Sequence, residues 1–375
     1  MPNNIGNMAT LRTAQREAVQ SIFREGVDNS SFGPLGYISR VSAGRLKGFI
    51  GYIGSGSAHR EGQIAPIDNA NQVKFIGEVV SEGINRLSKS SSSRLSVRAL
   101  VRNDLLERLQ TEISPRGASI EASLPANNTY TIVYIGYNTP QRALSSELRD
   151  QHNKAIEKAI SSYGHSQSAI ASLAREIINQ NNYSTRIVGG SERQFSSSER
   201  ERIYQLLSTF GYNNEGAENL ITNDRNIIGL VYKNIGDIQT VVGISVTERR
   251  SLTLTNGANI HIAEVTDGTV SQESNGKSLY SRLLSEVFVY IAENFKDLSI
   301  IYAESNVSSA PLLKTAAIQG RIFSGILPNH ANIMNRNTGQ LELKSLAVTY
   351  MTREQILEIG GLLRKEIELQ KSLRA

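Results

Sequence analysis

The stretch SQESNGKSLYSRLL, residues 271–284, holds the residues whose types and spacing best suit chemistry. Gly276-Lys277-Ser278 has the small, basic and hydroxyl side chains that end a nucleotide-binding P-loop. The same letters suit a loop that cradles a coenzyme pyrophosphate. Either loop follows a strand and opens a helix, so that backbone N–H groups at the helix start meet phosphate oxygens. Just upstream, Glu264 and Asp267 stand in a strand-like run, two carboxylates able to take a proton from a reacting group. By period-2 alternation they fall on opposite faces of that strand, so one of them should point toward a cleft. His261, earlier in the same run, reads as structural.

A Walker loop needs G-x-x-x-x-G-K-[ST]. Five residues before Gly276 stands Ser271, and the nearest earlier glycine, Gly268, lies three residues too far upstream. No apolar strand ending in aspartate offers the magnesium ligand that a Walker lysine works with. The ATP reading fails on spacing.

The bulk composition narrows the class. The chain has 375 residues, 39% hydrophobic and 20% charged, enough for two domains with sizeable cores. No apolar run reaches the roughly 18–20 residues of a membrane span, and the N-terminus lacks the apolar core of a signal peptide, so a cytoplasmic protein without a membrane partner is expected. With no cysteine there is no disulfide framework, thiol nucleophile or thiolate metal site. The five histidines are scattered, and no metal is expected. The net charge of +5 is spread along the chain, with no Lys/Arg run longer than two. That distribution disfavours nucleic acid and suits a polyanionic ligand such as a cofactor with several phosphate charges.

The positioning elements follow from periodicity. A short helix is expected over 11–23, then two or three strands with glycine turns over 35–62. Val73, Ile76, Val80, Ile84 and Leu87 recur at helical spacing. RLSVRALVR (94–102) reads as a strand, NDLLERLQTEI (103–113) as a capped helix and TYTIVYIGYN (129–138) as a strand. The first 140 residues thus read β-β-α-β-α-β. Residues 141–182 read as helix broken near 161–168. Beyond a polar linker come a strand at 185–190, a helix with a Ser196–Glu199 capping box, and three strands spanning NIIGLVYKN, DIQTVVGISVTER and ANIHIAEVTDGTV. The phosphate loop and its helix, LSIIYAES, the helix APLLKTAAIQG, two more strands and a helix capped by Thr352 and Gln355 complete the chain.

That order, strand, helix, short helix, three antiparallel strands, loop, helix, strand, helix, strand, strand, resembles the GNAT acetyltransferases. Their loop reads [RQ]-x-x-G-x-[GA], often R-G-x-G-[IL]-x-x-x-L-L, and NGKSLYSRLL (275–284) falls on it. It departs at Asn275 for arginine, Ser278 for glycine and Tyr280 for the last small residue. AEVTDGTVSQESNGKSL resembles the A-E-[IL]-T-D-x-A-T line of the β-lysine N-acetyltransferase branch, and SGILPNHANI resembles its G-x-L-x-N-N-x-x-I segment. The resemblance is good over 220–350 and topological over 35–140.

The fold class it implies is α/β (α+β). A C-terminal GNAT fold, with a mixed, mostly antiparallel sheet flanked by helices, follows a smaller partial GNAT-like α/β domain. The boundaries are a tail and helix over 1–34, the small domain over 35–150, a helical linker over 151–184, the GNAT domain over 185–351 and a final helix over 352–375. The implied activity is acyl transfer from acetyl-CoA, or another acyl-CoA, to a small amine or amino-acid metabolite. An acyl-carrier protein or aminoacyl-tRNA donor, or a degenerate binding module, is the runner-up. Asn275, Gly276, Lys277, Ser278, Leu279 and Tyr280 would hold the pyrophosphate and Asn306 the pantetheine. An N–H near Thr269 or Val270 would face the thioester oxygen along an exposed edge from Gly268 to Ser271. Glu264 or Asp267 would be the base. The superfamily's N-x-x-A-x-x-x-Y motif supplies an acid, but NVSSAPLLKTAAIQG offers Asn306 and Ala310 with Leu313 or Lys314 where tyrosine is expected. Tyr280 or Tyr302 substitutes, or thiolate leaves with help from water, or the domain has drifted from catalysis. Arg321, Asn329 and His330 would contact the acceptor.

Overall fold

The computed structural model describes residues 36–40, 49–54, 63–64, 66–88, 94–164, 167–189, 194–209, 212–254, 258–274, 278–334 and 341–373. The expected helix over 11–23, and Asn275, Gly276 and Lys277 of the phosphate loop, lie outside them.

The N-terminal half contains β1 (Gly36–Arg40), β2 (Phe49–Gly54), β3 (Gln63–Ile64), α1 (Ala70–Ser88), β4 (Arg94–Arg102), α2 (Leu106–Ile113), β5 (Ser119–Pro125) and β6 (Tyr130–Asn138). Two helices, α3 (Ser146–Tyr163) and α4 (Gln167–Ile178), lead into β7 (Tyr183–Gly189), α5 (Ser197–Ser208), α6 (Asn214–Thr222), β8 (Asn226–Ile235), β9 (Ile238–Leu254) and β10 (Asn259–Val270). Then follow α7 (Leu279–Asn294), β11 (Leu298–Asn306), α8 (Ala310–Ile318), β12 (Ile322–Met334), β13 (Leu341–Thr352) and α9 (Arg353–Ser372). The element order expected for the C-terminal half is present throughout.

All the described strands join one 13-stranded sheet, in the order β1-β2-β4-β6-β5-β12-β13-β11-β10-β9-β8-β7, with β3 on β9. The fold is therefore mixed α/β, with a large, mostly antiparallel sheet flanked by helices. The β3–β9 pairing carries the N-terminal half across the C-terminal one, so the sheet curls over a shared apolar filling that includes Leu100, Leu124, Leu252, Ile262 and Ile300. The halves also meet edge to edge where β5 pairs antiparallel with β12 at Ala122 and Gly325. A Cβ at Gly325 would stand 2.0 Å from the Glu121 carbonyl oxygen, so the seam requires glycine there.

Helix α7 shows why the elements form where they do. Leu279, Leu283, Val287 and Ile291 make one i, i+4 stripe and Leu284, Phe288 and Ala292 its neighbour, all buried against the outer face of the sheet. Each large member contributes about 1.5–3 kcal/mol on burial. Helices α5 and α6 cover the opposite, inner face with Ile203, Leu207 and Ile221. The Ser196–Glu199 and Thr352–Gln355 capping boxes are both present. The interhelical segment contributes packing, with Ala159 of α3 against Leu313 and Leu173 of α4 against Leu363.

Two local expectations change. Strand β5, SIEASLP, escaped the sequence reading because serine, glutamate and alanine give little strand signal, and pairing with β6 forms it. Residues 103–113 begin as a 3-10 turn, without a side-chain cap on α2. Asn103 instead donates to the Asn128 carbonyl at 3.0 Å and accepts from Thr131 at 2.8 Å. Partners on the neighbouring strand hold the side chain that opens the segment expected to be capped.

Candidate active site

Strands β10 and β11 run parallel from His261 and Leu298 to Val265 and Ala303, and then part. Beyond that point β10 continues to Val270 on β9 alone, and β11 continues to Asn306 on β13 alone. Among the described residues nothing pairs with the facing edge of β10 over residues 267–270. Ser271 donates its N–H to the Val242 carbonyl at 2.7 Å, and its antiparallel neighbours alternate. Gly268 and Val270 therefore turn their N–H groups into the fork while Thr269 turns toward β9. Of the two N–H groups expected near the thioester, those of Thr269 and Val270, the one that turns into the fork is that of Val270.

The strand is bulged where it leaves its partner. Val265 pairs with Thr247 and Asp267 with Val246, which leaves Thr266 as an extra residue. This bulge overturns the expected alternation, because Glu264 opposes Glu248 and Asp267 opposes Val246, both on one face of β9. Glu264 and Asp267 thus share the inner face, under α5 and α6. Asp267 is 4% exposed and accepts from the Tyr212 hydroxyl at 2.9 Å. Glu264 is fully buried, accepts from the Tyr302 hydroxyl at 2.5 Å and lies 3.3 Å from the Arg250 guanidinium.

On the outer face, Tyr280 in the first turn of α7 lays its phenol against Gly268; a Cβ there would be 2.3 Å from the hydroxyl. Burial pushes the Tyr280 phenol up to about 12, opposed by the charge of Arg321. Across from Gly268 the Ser245 hydroxyl is buried without a hydrogen-bond partner, and so is Thr247 across from Val265. Ser278, where the family's loop has glycine, has φ 52°, in the left-handed region that glycine enters freely. Leu279, which opens α7, is buried against the sheet.

Asn306 ends β11 at the other wall of the fork, its Oδ1 accepting from the Ser308 N–H at 3.0 Å. Leu313, at the place expected for tyrosine, is buried in an apolar cluster with Ala159 and Val307. Tyr302 belongs to the inner face through Glu264, which leaves Tyr280 as the phenol at the fork.

Of the three expected acceptor contacts, Arg321 lies near enough to Tyr280 for its charge to act on that phenol, while Asn329 and His330 lie at the seam between the halves. Arg321 crosses the outer face, its guanidinium 4.8 Å over the Phe288 ring and donating to Gln319 Oε1 at 2.9 and 2.5 Å. Burial draws its pKa down to about 10. Asn329, with φ 45°, donates to the Arg142 carbonyl at 2.7 Å, and buried His330 accepts from Arg94 Nε at 3.1 Å. Both residues serve the seam between the halves.

The sequence reading missed a charged group on the inner face. Arg98 of β4 pairs with Glu304 at 2.6 Å and lies 4.7 Å over the ring of Tyr134, whose hydroxyl donates to Glu304 at 3.2 Å. Arg250 bonds Glu248 at 2.9 Å as well as approaching Glu264. The signal for it was only strand alternation in RLSVRALVR and TERRS, which gives a face and no partner.

Among the described residues no helix is long and apolar enough to cross a membrane. The sequence matches no known protein family and no curated protein. Solved structures similar to this chain include Arabidopsis thaliana NAA60 in complex with acetyl-CoA, at 11% identity and TM-score 0.37, over 45% of this chain and 98% of that one. The ribosomal-protein-S18-alanine N-acetyltransferase from Escherichia coli is similar at 10% identity and TM-score 0.33, over 45% of this chain and 94% of its own. The spermidine/spermine N-acetyltransferase SpeG from Vibrio cholerae is similar at 14% identity and TM-score 0.34, over 47% and 97% respectively.

Proposed function

We propose that the C-terminal half is an N-acyltransferase that moves an acyl group from coenzyme A to a small amine. The observation that carries this reading is the fork. A backbone edge left open in the middle of a sheet, bulged at its start and facing a helix N-terminus, suits an extended amide-bearing ligand with a phosphate end. The orphaned Ser245 and Thr247 hydroxyls beside it are further polar groups for such a ligand.

The acyl-CoA supplies an activated thioester carbonyl. This chain's residues do the rest. Gly268 and Val270 offer N–H groups along the fork, and the Val270 N–H faces the oxygen on which charge develops. Asp267, beside the bulge, takes the proton of the attacking amine, with Tyr212 orienting its carboxylate. Tyr280, protonated at neutral pH, gives its proton to the departing thiolate from the other side of β10. Glu264, held by Arg250 and Tyr302, draws the cationic amine inward. The acceptor is a diamino acid or similar metabolite, a reading supported by the acidic inner face and by the sequence resemblance over residues 220–350.

Calorimetry with acetyl-CoA and with Mg-ATP, followed by thiol release against a panel of amines and amino acids, tests the reading. Acetyl-CoA should bind at one site and release thiol with at least one amine. Binding of Mg-ATP without acetyl-CoA would overturn it.

A further inference from the structure

His261 reads as structural in the sequence, and the fold gives it two partners. Antiparallel pairing sets it directly across from Ser251 of β9, where facing Cβ atoms stand about 4.5–5.5 Å apart. The Ser251 hydroxyl lies 2.7 Å from His261 Nδ1. On the other side β11 pairs Leu298 with His261, which brings Asp297, one residue earlier, to the far edge of the ring. The Asp297 carboxylate lies 3.1 Å from His261 Nε2. An ionised carboxylate only accepts hydrogen bonds, so Nε2 carries the proton and Nδ1 of the neutral ring turns its lone pair to the hydroxyl. Serine, imidazole and carboxylate thus stand in the order of a nucleophile, its base and the group that orients the base.

The three residues are open to solvent. Ser251 is exposed, and 33% and 64% of the His261 and Asp297 side chains are accessible. A small molecule reaches the hydroxyl without a cavity, and an ion pair so exposed adds little stability. Arg249 stands two residues back on the same face of β9, roughly 7 Å along the strand. Its guanidinium lies 4.1 Å over the Phe295 ring and donates to the Asp224 carbonyl at 3.2 Å, which fixes its place. His261 alternates with Ile260 and Ile262 of the inner filling and so belongs to the outer face, beyond the C-terminal end of α7. Six residues of β10, roughly 20 Å, separate it from Asp267 at the fork.

We propose that Ser251, His261 and Asp297 form a second, ester-cleaving site, whose substrates are small acyl esters and whose Arg249 faces the carbonyl oxygen. The Ser251 oxygen bonds to the acyl carbon as its proton passes to His261 Nδ1. The bond to the alkoxy oxygen breaks, and the leaving alcohol takes that proton. Water then adds to the acyl-serine and gives a proton to Nδ1, and the serine oxygen recovers it as the carboxylic acid departs. The site uses no coenzyme and stands independently of the acyl-transfer reading.

The test treats the full chain with para-nitrophenyl acetate, quenches in acid and maps acetyl groups by mass spectrometry. Acetyl should appear on Ser251, and saturating desulfo-coenzyme A, which has no thiol to react, should leave its rate unchanged. Ser251→Ala should abolish this adduct, and His261→Gln should slow it roughly 10²-fold or more, with melting temperatures retained. Asp297, as the positioning residue, should matter less. Asp297→Asn should also move the pH midpoint of the rate downward, because a nearby carboxylate favours the imidazolium. Arg249→Met should slow the reaction, and Arg249→Lys should restore part of it. Since the chain has no cysteine, Ser251→Cys carries a single thiol. Iodoacetamide should alkylate that thiol faster than it does in the variant that also carries His261→Gln. The proposal is overturned if no acetyl appears on Ser251, if desulfo-coenzyme A protects it, or if the thiol reacts equally fast without His261. Variants that lose acetylation and thermal stability together would overturn it as well.

Discussion

The two halves share a wiring and differ at one edge. In the N-terminal half β2 and β4 are parallel across α1, followed outward by β6 and β5. In the C-terminal half β10 and β11 are parallel across α7, followed outward by β13 and β12. Each parallel pair ends before its second strand does, at Ile53–Arg98 in one and Val265–Ala303 in the other. Beyond Arg98, however, the chain fills the gap itself: Ile67 donates to the Leu100 carbonyl at 2.8 Å and accepts from the Arg102 N–H at 3.1 Å. Beyond Val265 no described segment does so. Topology alone therefore does not make a site. What separates the halves is whether the chain satisfies its own edge, the feature on which the proposed ligand site rests.

The comparison is sharpened first at the fork. Asp267→Asn should reduce turnover roughly 10²-fold or more, the scale of losing a general base, with acetyl-CoA affinity retained. Glu264→Gln should act mainly on the KM for the amine, because Arg250 already claims that carboxylate. Equal loss of kcat in both variants would contradict the assignment of Asp267 as base.

Removing the plug is the next largest effect. Ile67 is 3% exposed, and Ile67→Ala should lower stability by about 2–5 kcal/mol in chemical denaturation. Acetyl-CoA should still bind with a stoichiometry of one. A second site appearing in this variant would mean that Ile67 suppresses a competent donor cleft.

Gly268→Ala places a methyl where the Tyr280 hydroxyl lies, an overpacking worth about 1–3 kcal/mol unless Tyr280 moves. Turnover should fall while the fold, followed by circular dichroism, remains. Unchanged turnover would argue against Tyr280 as acid. The smallest effect belongs to Ser278→Gly, which should raise stability by roughly 1 kcal/mol by relieving the positive φ, measured as a shifted urea midpoint.

Legibility of the fold in the sequence depended on whether the signal was local. The strand over 94–102, both capping boxes and the α7 stripe could be read because each fixes its own backbone within a turn or a few residues. Strand β5 could not, since half its side chains favour no strand and its partner lies beyond a turn. The cap expected for the helix over 103–113 failed for the same reason: the Asn103 partners, Asn128 and Thr131, stand at the β5–β6 turn of the neighbouring strands.

Sequence by itself determined the element order of the C-terminal half, the exclusion of a Walker loop and the presence of Glu264, Asp267, Gly268 and Tyr280 within one strand–loop–helix stretch. These follow from spacing, which the covalent chain carries intact. Only the tertiary structure decided that Glu264 and Asp267 share a face, because one bulged residue at position 266 resets the alternation and its location depends on what β9 pairs with. The tertiary structure also placed Asn329 and His330, both expected to contact the acceptor, at the seam between the halves. It brought Arg98 and Tyr134 to Glu304, residues 206 and 170 positions apart in sequence. Contacts of that separation depend on how a sheet curls and closes, and no local pattern of residue types encodes it.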